Sequence, residues 1–269
     1  MQPLEASFNV VNRAFTAQSP QYDAWDQANP VLQRWRRQVY NHVQNFLAPH
    51  AHILELNAGT GIDAVYFAKQ GHRVLATDLS DGMVGQIQQK AVSNNLPNLT
   101  VRQLGFDQLQ LLSPGKFDYV FSNFGGLNCI QNLTLISRHL PEYLKPHGFV
   151  TWVVMPPFCP WESMGLWKGH WKAAMRRWNK NGTQAHVGGH HFKVFYHSLT
   201  AVREALGPSF RLVKCQSLGL VSPPASSHNF IRRHPTLNSL LIEIDRVFAH
   251  RFPFNRWGDH LILTFKLNR

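Results

Sequence analysis

Residues 52–78 contain the feature that most constrains the fold: an apolar strand, a glycine-containing turn, a helix and a second strand that ends in an acid. The strands are predicted at 52–56 and 72–78. Glycines in the intervening turn let a ligand approach the backbone, and the unpaired N–H groups that begin the following helix favour negative charge. Asp78 follows Gly61 at about the spacing that places a carboxylate beside a ribose in a βαβ unit. This segment therefore predicts a nucleotide-binding unit.

The turn sequence distinguishes two kinds of nucleotide-binding protein. Dinucleotide folds use G-x-G-x-x-G, whereas here Glu55 precedes only Gly59 and Gly61. The run Glu-Leu-Asn-Ala-Gly-Thr-Gly resembles motif I of class I S-adenosylmethionine-dependent methyltransferases, written E/D-x-G-x-G-x-G, and places the chain near the type 11/25 small-molecule branch. Asn57 replaces the usual first glycine. Because Asn tolerates positive φ better than other non-glycine residues, we expect the turn to persist.

The order of elements after Asp78 supports this resemblance. Further strands are predicted at 99–104, 117–124, 149–155, 210–217 and 260–267, with a helix at 131–144. The resemblance implies an α/β, Rossmann-like fold with a seven-stranded, mostly parallel sheet, an antiparallel last strand, and helical or irregular insertions that cover the substrate. The division it implies is an N-terminal helical cap (1–46), an S-adenosylmethionine-binding core (47–155), a cover insertion (156–197), a continuation of the core (198–217), a second cover insertion (218–258) and the last core strand (259–269).

The resemblance also implies the cofactor, S-adenosyl-L-methionine, and its product, S-adenosyl-L-homocysteine. Asp78 is expected to bind the ribose, the turn the methionine part, and Tyr22 to close over that part. Residues around 105–107 are expected near the adenine, and those around 122–124 near the methyl group. The full predicted cofactor-binding set is Tyr22, Glu55, Asn57, Ala58, Gly59, Gly61, Asp78, Leu79, Met83, Gly105, Phe106, Asp107, Ser122, Asn123 and Phe124.

Basic charge is concentrated in the predicted covers. The chain carries a net charge of +12, and residues 151–258 hold 14 bases against 4 acids, whereas residues 1–150 are nearly neutral. This distribution favours a small or medium-sized, anionic acceptor over nucleic acid. Residues 161–178 place aromatic and basic side chains at helical spacing, which predicts a lid helix or a contact with an anionic membrane surface.

Histidine is the expected residue type for a general base, which methyl transfer needs only when the acceptor atom is poorly deprotonated. The candidates are His190, His191 and His197, one of which is expected to face the acceptor. We predict no metal site, because no acid or cysteine stands near these histidines in the sequence. The three scattered cysteines and the absence of a long apolar run or a leader pattern predict a cytoplasmic protein.

Three functions fit these features. The leading interpretation is transfer of a methyl group to an O, N or C atom of a small molecule. An RNA methyltransferase is the first alternative, although residues 122–125 read Ser-Asn-Phe-Gly rather than Asn-Pro-Pro-Tyr. The second alternative is a non-catalytic S-adenosylmethionine-binding scaffold or sensor.

Overall fold

Seven strands form a central sheet with helices on both faces, in a computed structural model that describes residues 2–112, 116–164, 171 and 175–268. The order across the sheet is β3-β2-β1-β4-β5-β9-β8, and β6 pairs with β7 in a separate hairpin. The strands are β1 His52–Leu56, β2 Arg73–Asp78, β3 Leu99–Gln103, β4 Phe117–Ser122, β5 Leu144–Val154, β6 Thr183–Val187, β7 His190–Val194, β8 Phe210–Leu218 and β9 His260–Leu267. The predicted Rossmann-like fold is confirmed.

Strand direction determines which edge of the sheet can hold a site. Strands β1 to β5 pair in parallel, whereas β9 runs antiparallel to both β5 and β8. Val154, at the end of β5, pairs with Leu261, near the start of β9. The beginning of β9 therefore lies at the edge where the parallel strands end, which is where open α/β sheets bind their ligands.

The helices connect and cover these strands. Residues 131–144 were expected to form one helix but form two short ones, because Pro141 has no N–H to continue the first and instead lies in the first turn of the second. The helices are α1 Gln2–Ala28, α2 Pro30–Gln44, α3 Ile62–Lys69, α4 Asp81–Ser93, α5 Thr134–Ser137, α6 Leu140–Tyr143, α7 Pro160–Ser163, α8 Leu199–Leu206, α9 His228–Arg233 and α10 Pro235–Phe248. No described helix is both long enough and apolar enough to cross a bilayer.

A chain of buried hydroxyl groups ties α2 to the sheet. Tyr119 on β4 contacts the hydroxyl of Thr151 on β5 at 2.6 Å, and Thr151 contacts Thr264 on β9 at 2.6 Å. His42 on α2 completes the chain, with 2.8 Å between its Nε2 and the Thr264 hydroxyl. Burial lowers the pKa of His42 to about 4, so the imidazole is neutral in the folded protein at pH 7.

The two predicted cover insertions touch each other through aromatic side chains. Trp161 meets Phe230 at a centroid distance of 4.9 Å, and Phe158 meets Trp257 at 5.4 Å. Of the amphipathic helix predicted over 161–178, residues 165–170 and 172–174 lie outside the described residues. The structure describes the end of α7, residues 164, 171 and 175, and a 3₁₀ turn at Arg176–Trp178.

Candidate active site

The turn after β1 has the backbone that the sequence predicts. Asn57, Gly59 and Gly61 all have positive φ, at 47°, 58° and 79°. The Asn57 side chain bridges two strands, because its Oδ1 accepts from the Ser122 hydroxyl at 2.6 Å and its Nδ2 donates to the Asn123 carbonyl at 3.1 Å. The asparagine therefore replaces glycine's backbone freedom with a side-chain link between the ends of β1 and β4.

Asp78 ends β2 with both carboxylate oxygens facing backbone donors. Oδ2 accepts from the N–H of Gly59 and Oδ1 from the N–H of Ser80, each at 2.8 Å. Burial raises the pKa of Asp78 to about 6, although these hydrogen bonds act in the opposite direction. The carboxylate is thus held rigidly at the turn and retains lone pairs for a ligand's hydroxyl groups.

A cavity of about 130 Å³ lies over the ends of β1, β2 and β4, at the edge where open α/β sheets bind their ligands. Its floor contains the turn and Asp78, and its roof is α1. The predicted cofactor residues on its wall are Tyr22, Asn57, Gly59, Asp78, Leu79, Met83, Gly105, Phe106, Asn123 and Phe124. Wall residues that the sequence analysis missed are Phe8, Val11, Phe15, Leu104, Gly125, Gly126 and Cys129.

The roof over this cavity comes from one of the three segments expected there. The sequence placed the N-terminal cap (1–46) and the insertions 156–197 and 218–258 over the site, but the described residues of both insertions are absent from the cavity wall. Phe8, Val11 and Phe15 on α1 cover it instead, and Phe15 packs on Phe192 of the β6–β7 hairpin at a centroid distance of 5.8 Å. The hairpin therefore supports α1, and α1 covers the cavity directly.

The end of the cavity nearest α2 is rich in buried charge. Arg36 donates to Asp26 at 2.9 Å and forms an ion pair with Asp63. Its guanidinium lies 4.8 Å from the ring centroid of Phe124. Glu55 is also buried there, and burial together with Asp63 raises its pKa well above the ordinary value. Asp26 and Asp63 face the single cation Arg36, so this end carries a net negative charge even when Glu55 is protonated.

Two buried polar atoms near the carboxyl ends of the parallel strands are free to bind a ligand. Oε2 of Glu55 and Oδ1 of Asp107 are buried and have no hydrogen-bond partner among the described residues. Because buried polar atoms in proteins are nearly always paired, such atoms indicate partners that a ligand or water supplies. A side-chain carbon added to Gly59 would meet nothing within 4 Å, so the turn is open to the cavity.

The remaining predicted cofactor residues support the wall from behind it. Ala58 lines a small adjoining cavity with Tyr22 and Arg36, and burial raises the pKa of the Tyr22 hydroxyl to about 12. Gly61 begins α3, and an added side-chain carbon there would lie 2.9 Å from Ile87, so close helix packing requires glycine. Glu55, Asp107 and Ser122 adjoin wall residues without lining the main cavity.

The three candidate histidines lie away from the main cavity wall. His190 and His191 are on β7, where His191 is exposed and packs on His186 at a centroid distance of 4.5 Å. His197 is buried, and its Nε2 lies 2.9 Å from the Ile130 carbonyl. Burial lowers the pKa of His197.

A charged cluster under the first cover insertion has the ligand types of a metal site. Cys159, Glu162 and Asp259 lie close enough for their ligand atoms to share one ion. The guanidinium of Arg177 already occupies the cluster, at 2.7 Å from Glu162 and 2.6 Å from Asp259. The geometry is therefore that of a buried ion-pair network, in which Arg177 contacts both acids and Arg176 also pairs with Glu162.

Comparisons with known proteins agree with this geometry. Residues 53–148 match a family model described as "Methyltransferase domain". The S-adenosyl-L-methionine-dependent Diels–Alderase iccD of Talaromyces variabilis is 33% identical over 72 residues, which span 26% of this chain and 25% of that protein. The chain thus matches about a quarter of that relative's length.

Solved structures share the fold over most of their length. The CcbJ methyltransferase from Streptomyces caelestis has a TM-score of 0.61 at 15% identity, covering 95% of this chain and 98% of that one. The [4+2]-cyclase SpnF also has a TM-score of 0.61, at 13% identity, with 96% and 94% covered. A structure described as a putative S-adenosylmethionine-dependent methyltransferase from Listeria monocytogenes scores 0.59 at 18% identity, with 86% and 96% covered.

The sheet order, the turn after β1 and the acid that ends β2 define a nucleotide-cofactor-binding α/β protein. The match of residues 53–148 to a methyltransferase domain and the shared fold both support a class I S-adenosylmethionine-dependent methyltransferase. Its cofactor is S-adenosylmethionine, and the residues on the cavity wall fit that group. A protein described as a [4+2]-cyclase also shares the fold, so the fold is common to methyl transfer and cyclisation.

Proposed function

We propose that this protein transfers a methyl group from S-adenosylmethionine to an O, N or C atom of a small or medium-sized, anionic acceptor. The observation that carries the proposal is that Asp78 and the residues after β4 line the same cavity, under an apolar roof. S-adenosylmethionine supplies a methyl group that its sulfonium already activates. The protein must then align the acceptor and exclude water, and alignment alone can lower the barrier by up to about 7–11 kcal/mol.

The residues of the cavity divide this work between its two ends. Asp78 offers charged acceptors to the ribose hydroxyls, and the net negative charge of Asp26 and Asp63 around Arg36 complements the ammonium of the methionine part. Phe8 and Phe15 on α1 exclude water above the site. The turn at Phe124 ends β4 and forms the wall nearest the transferred methyl group, as the family resemblance implies.

Support for an anionic small-molecule acceptor comes from charge. Residues 151–258 carry 14 bases and 4 acids, and Arg232 and Arg233 on α9 are exposed. We propose a small molecule rather than RNA as the acceptor. For residues 161–178 we propose, beside the role of a lid, contact with an anionic membrane surface. The described cysteines are free, in keeping with the cytoplasmic location that we propose.

A cyclase is the second candidate function. The observation that favours it is the 33% identity to a Diels–Alderase over 72 residues, together with the shared fold of a [4+2]-cyclase. In such a role the cofactor would complete the cavity while its methyl group stays in place. The two functions therefore differ in whether S-adenosylhomocysteine is formed.

The test begins with calorimetry of S-adenosylmethionine and S-adenosylhomocysteine binding, and absence of binding would contradict methyl transfer, cyclisation and a scaffold role alike. Donor labelled in its methyl group is then incubated with carboxylate- and phosphate-bearing small molecules, with polyenes as cyclase substrates, and with transfer RNA. Label in a small molecule supports the proposal, and label in RNA contradicts it. Polyene conversion without S-adenosylhomocysteine identifies a cyclase. Tight binding without any conversion favours a scaffold or sensor.

A further inference from the structure

His260, the first residue of β9, lies at the ligand-binding edge of the sheet because β9 runs antiparallel to its neighbours. The residue is only 9% exposed. Its ring meets Trp35 of α2 edge-on at a centroid distance of 5.8 Å, and Phe124, on the cavity wall, at 5.9 Å. The imidazole is therefore held between α2 and the end of β4.

One ring nitrogen of His260 is anchored by a carboxylate. Nδ1 lies 2.8 Å from Oδ2 of Asp259, in a contact that is bent relative to a regular hydrogen bond. Oδ1 of Asp259 accepts from Arg177 at 2.6 Å, and Arg177 also contacts Glu162 at 2.7 Å. Although burial alone would raise it, the pKa of Asp259 is held well below its ordinary range by His260 and Arg177.

The other ring nitrogen faces the end of β4. A side-chain carbon added to Gly125 would lie 3.4 Å from Nε2 of His260 and 3.3 Å from Cε of Met155. Gly125 itself lines the main cavity. Among the described residues Nε2 has no hydrogen-bond partner, whereas Nε2 of His197 is bonded to a carbonyl. Both ring nitrogens of buried His42 also have partners, so His260 is the buried histidine with a ring nitrogen available at this edge.

We propose that Asp259 and His260 form a dyad in which Nε2 of His260 is the general base toward a hydroxyl-bearing acceptor. The proposal rests on the proposed methyl transfer and deepens it. The acceptor oxygen bonds to the methyl carbon, the methyl–sulfur bond breaks with its electron pair left on sulfur, and the hydroxyl proton passes to Nε2. The positive charge of the sulfonium thereby reappears on the imidazolium, which Asp259 stabilises.

The test measures whether Nε2 senses the charge on sulfur. The histidine ring resonances of the full-length, isotope-labelled protein are followed as a function of pH, once with saturating S-adenosylmethionine and once with saturating S-adenosylhomocysteine. The two ligands differ in the methyl group and the sulfonium charge. The ionisable groups around the dyad are Arg177, Glu162, Cys159 and, across the Phe124 ring, Arg36, and all are common to both complexes. We expect the pKa of His260 to be lower by about 0.5 or more with the sulfonium, as for a unit charge within about 10 Å.

The outcomes separate the two proposals. Titration curves of His260 that superimpose in the two complexes overturn the dyad, whereas failure of both ligands to bind overturns the proposed function. The resonance is assigned through His260→Gln, or by through-bond assignment should that variant not fold. His197 is the matched control, since its blocked Nε2 is expected to respond equally to both ligands.

A kinetic arm uses a panel of phenols and catechols as model hydroxyl acceptors. We expect His260→Gln to lower kcat by about a hundredfold or more and to abolish the acidic limb of the pH profile, with S-adenosylhomocysteine affinity changed less than threefold. Asp259→Asn should lower kcat and shift that limb, as expected of a positioning residue. Unchanged kcat in a folded His260→Gln that transfers to a hydroxyl acceptor would overturn the proposal.

Discussion

Replacing Asp78 with Asn tests the cofactor site at its most constrained residue. The carboxylate accepts from the backbone N–H groups of Gly59 and Ser80, each at 2.8 Å, and has lone pairs left for the ribose. A hydrogen bond to a charged group contributes about 1.5–3 kcal/mol. Because each 1.4 kcal/mol is about tenfold in affinity, loss of one such bond predicts a Kd for S-adenosylhomocysteine about ten- to a hundredfold higher.

Calorimetry measures that change, with Asp81→Asn as the matched control. Asp81 lies three positions away at the start of α4, accepts from Gln103 and is absent from the cavity wall. Its variant should bind with unchanged affinity. Thermal unfolding of both variants identifies any damage to the turn, since the amide introduced by Asp78→Asn would face a backbone N–H. A folded Asp78→Asn with affinity within threefold of the unmodified protein would refute the assignment.

The pH dependence of binding gives a second, independent measurement. Burial raises the pKa of Asp78 to about 6, and the ionised form is the better acceptor. Lowering the pH from 7 to 5 should therefore weaken S-adenosylhomocysteine binding to the unmodified protein. The same interval should change binding to Asp78→Asn much less, since the amide does not titrate. Parallel pH profiles would contradict the proposed role of the carboxylate.

Three further predictions concern the structure around the site. The pKa of buried His42 is about 4 in the folded protein, against an ordinary 6.5. The unfolded chain therefore binds the proton more readily, and the free energy of unfolding should fall by up to about 3 kcal/mol as pH drops from 6.5 to 4. Urea unfolding should show this loss, and the loss should be smaller in His42→Asn. Gly126→Ala places a carbon well inside contact distance of the Asn57 side chain and should lower the free energy of unfolding by about 1–3 kcal/mol. Adding Asn57→Gly should recover most of that loss. A double variant whose loss equals the sum of the two single losses would contradict the clash. Phe15→Ala should raise the S-adenosylhomocysteine dissociation rate by about tenfold in stopped flow, and an unchanged rate would argue against α1 as the roof.

Local sequence predicts the donor-binding half of the site because its determinants are close together in the chain. The strand β1 and the turn after it occur where the apolar run and glycines place them. Asn57 adopts positive φ as expected. Its link to Ser122 was not predictable, because that contact depends on the pairing of β1 with β4.

The roof and the dyad depend on tertiary packing that spacing does not reveal. Phe8 and Phe15 are ordinary apolar residues of a long helix until α1 packs across α4 and β7. His260 follows Trp-Gly-Asp at the start of the last strand, and its position matters only because that strand is antiparallel. The run at 186–191 is rich in histidine by composition, whereas the direction of β9 places a different histidine, His260, at the ligand-binding edge.

Arg177 couples the first cover insertion to the proposed base. The residue belongs to that insertion, whereas its partner Asp259 precedes the last core strand. If the insertion moved away, Asp259 would lose its cation while remaining buried, and breaking a buried ion pair is strongly unfavourable. The carboxylate would then be expected to take a proton and release its hold on His260. Through Arg177, the position of the first cover insertion therefore affects how strongly His260 acts as a base. We expect proton abstraction to be most effective when the insertion is in place.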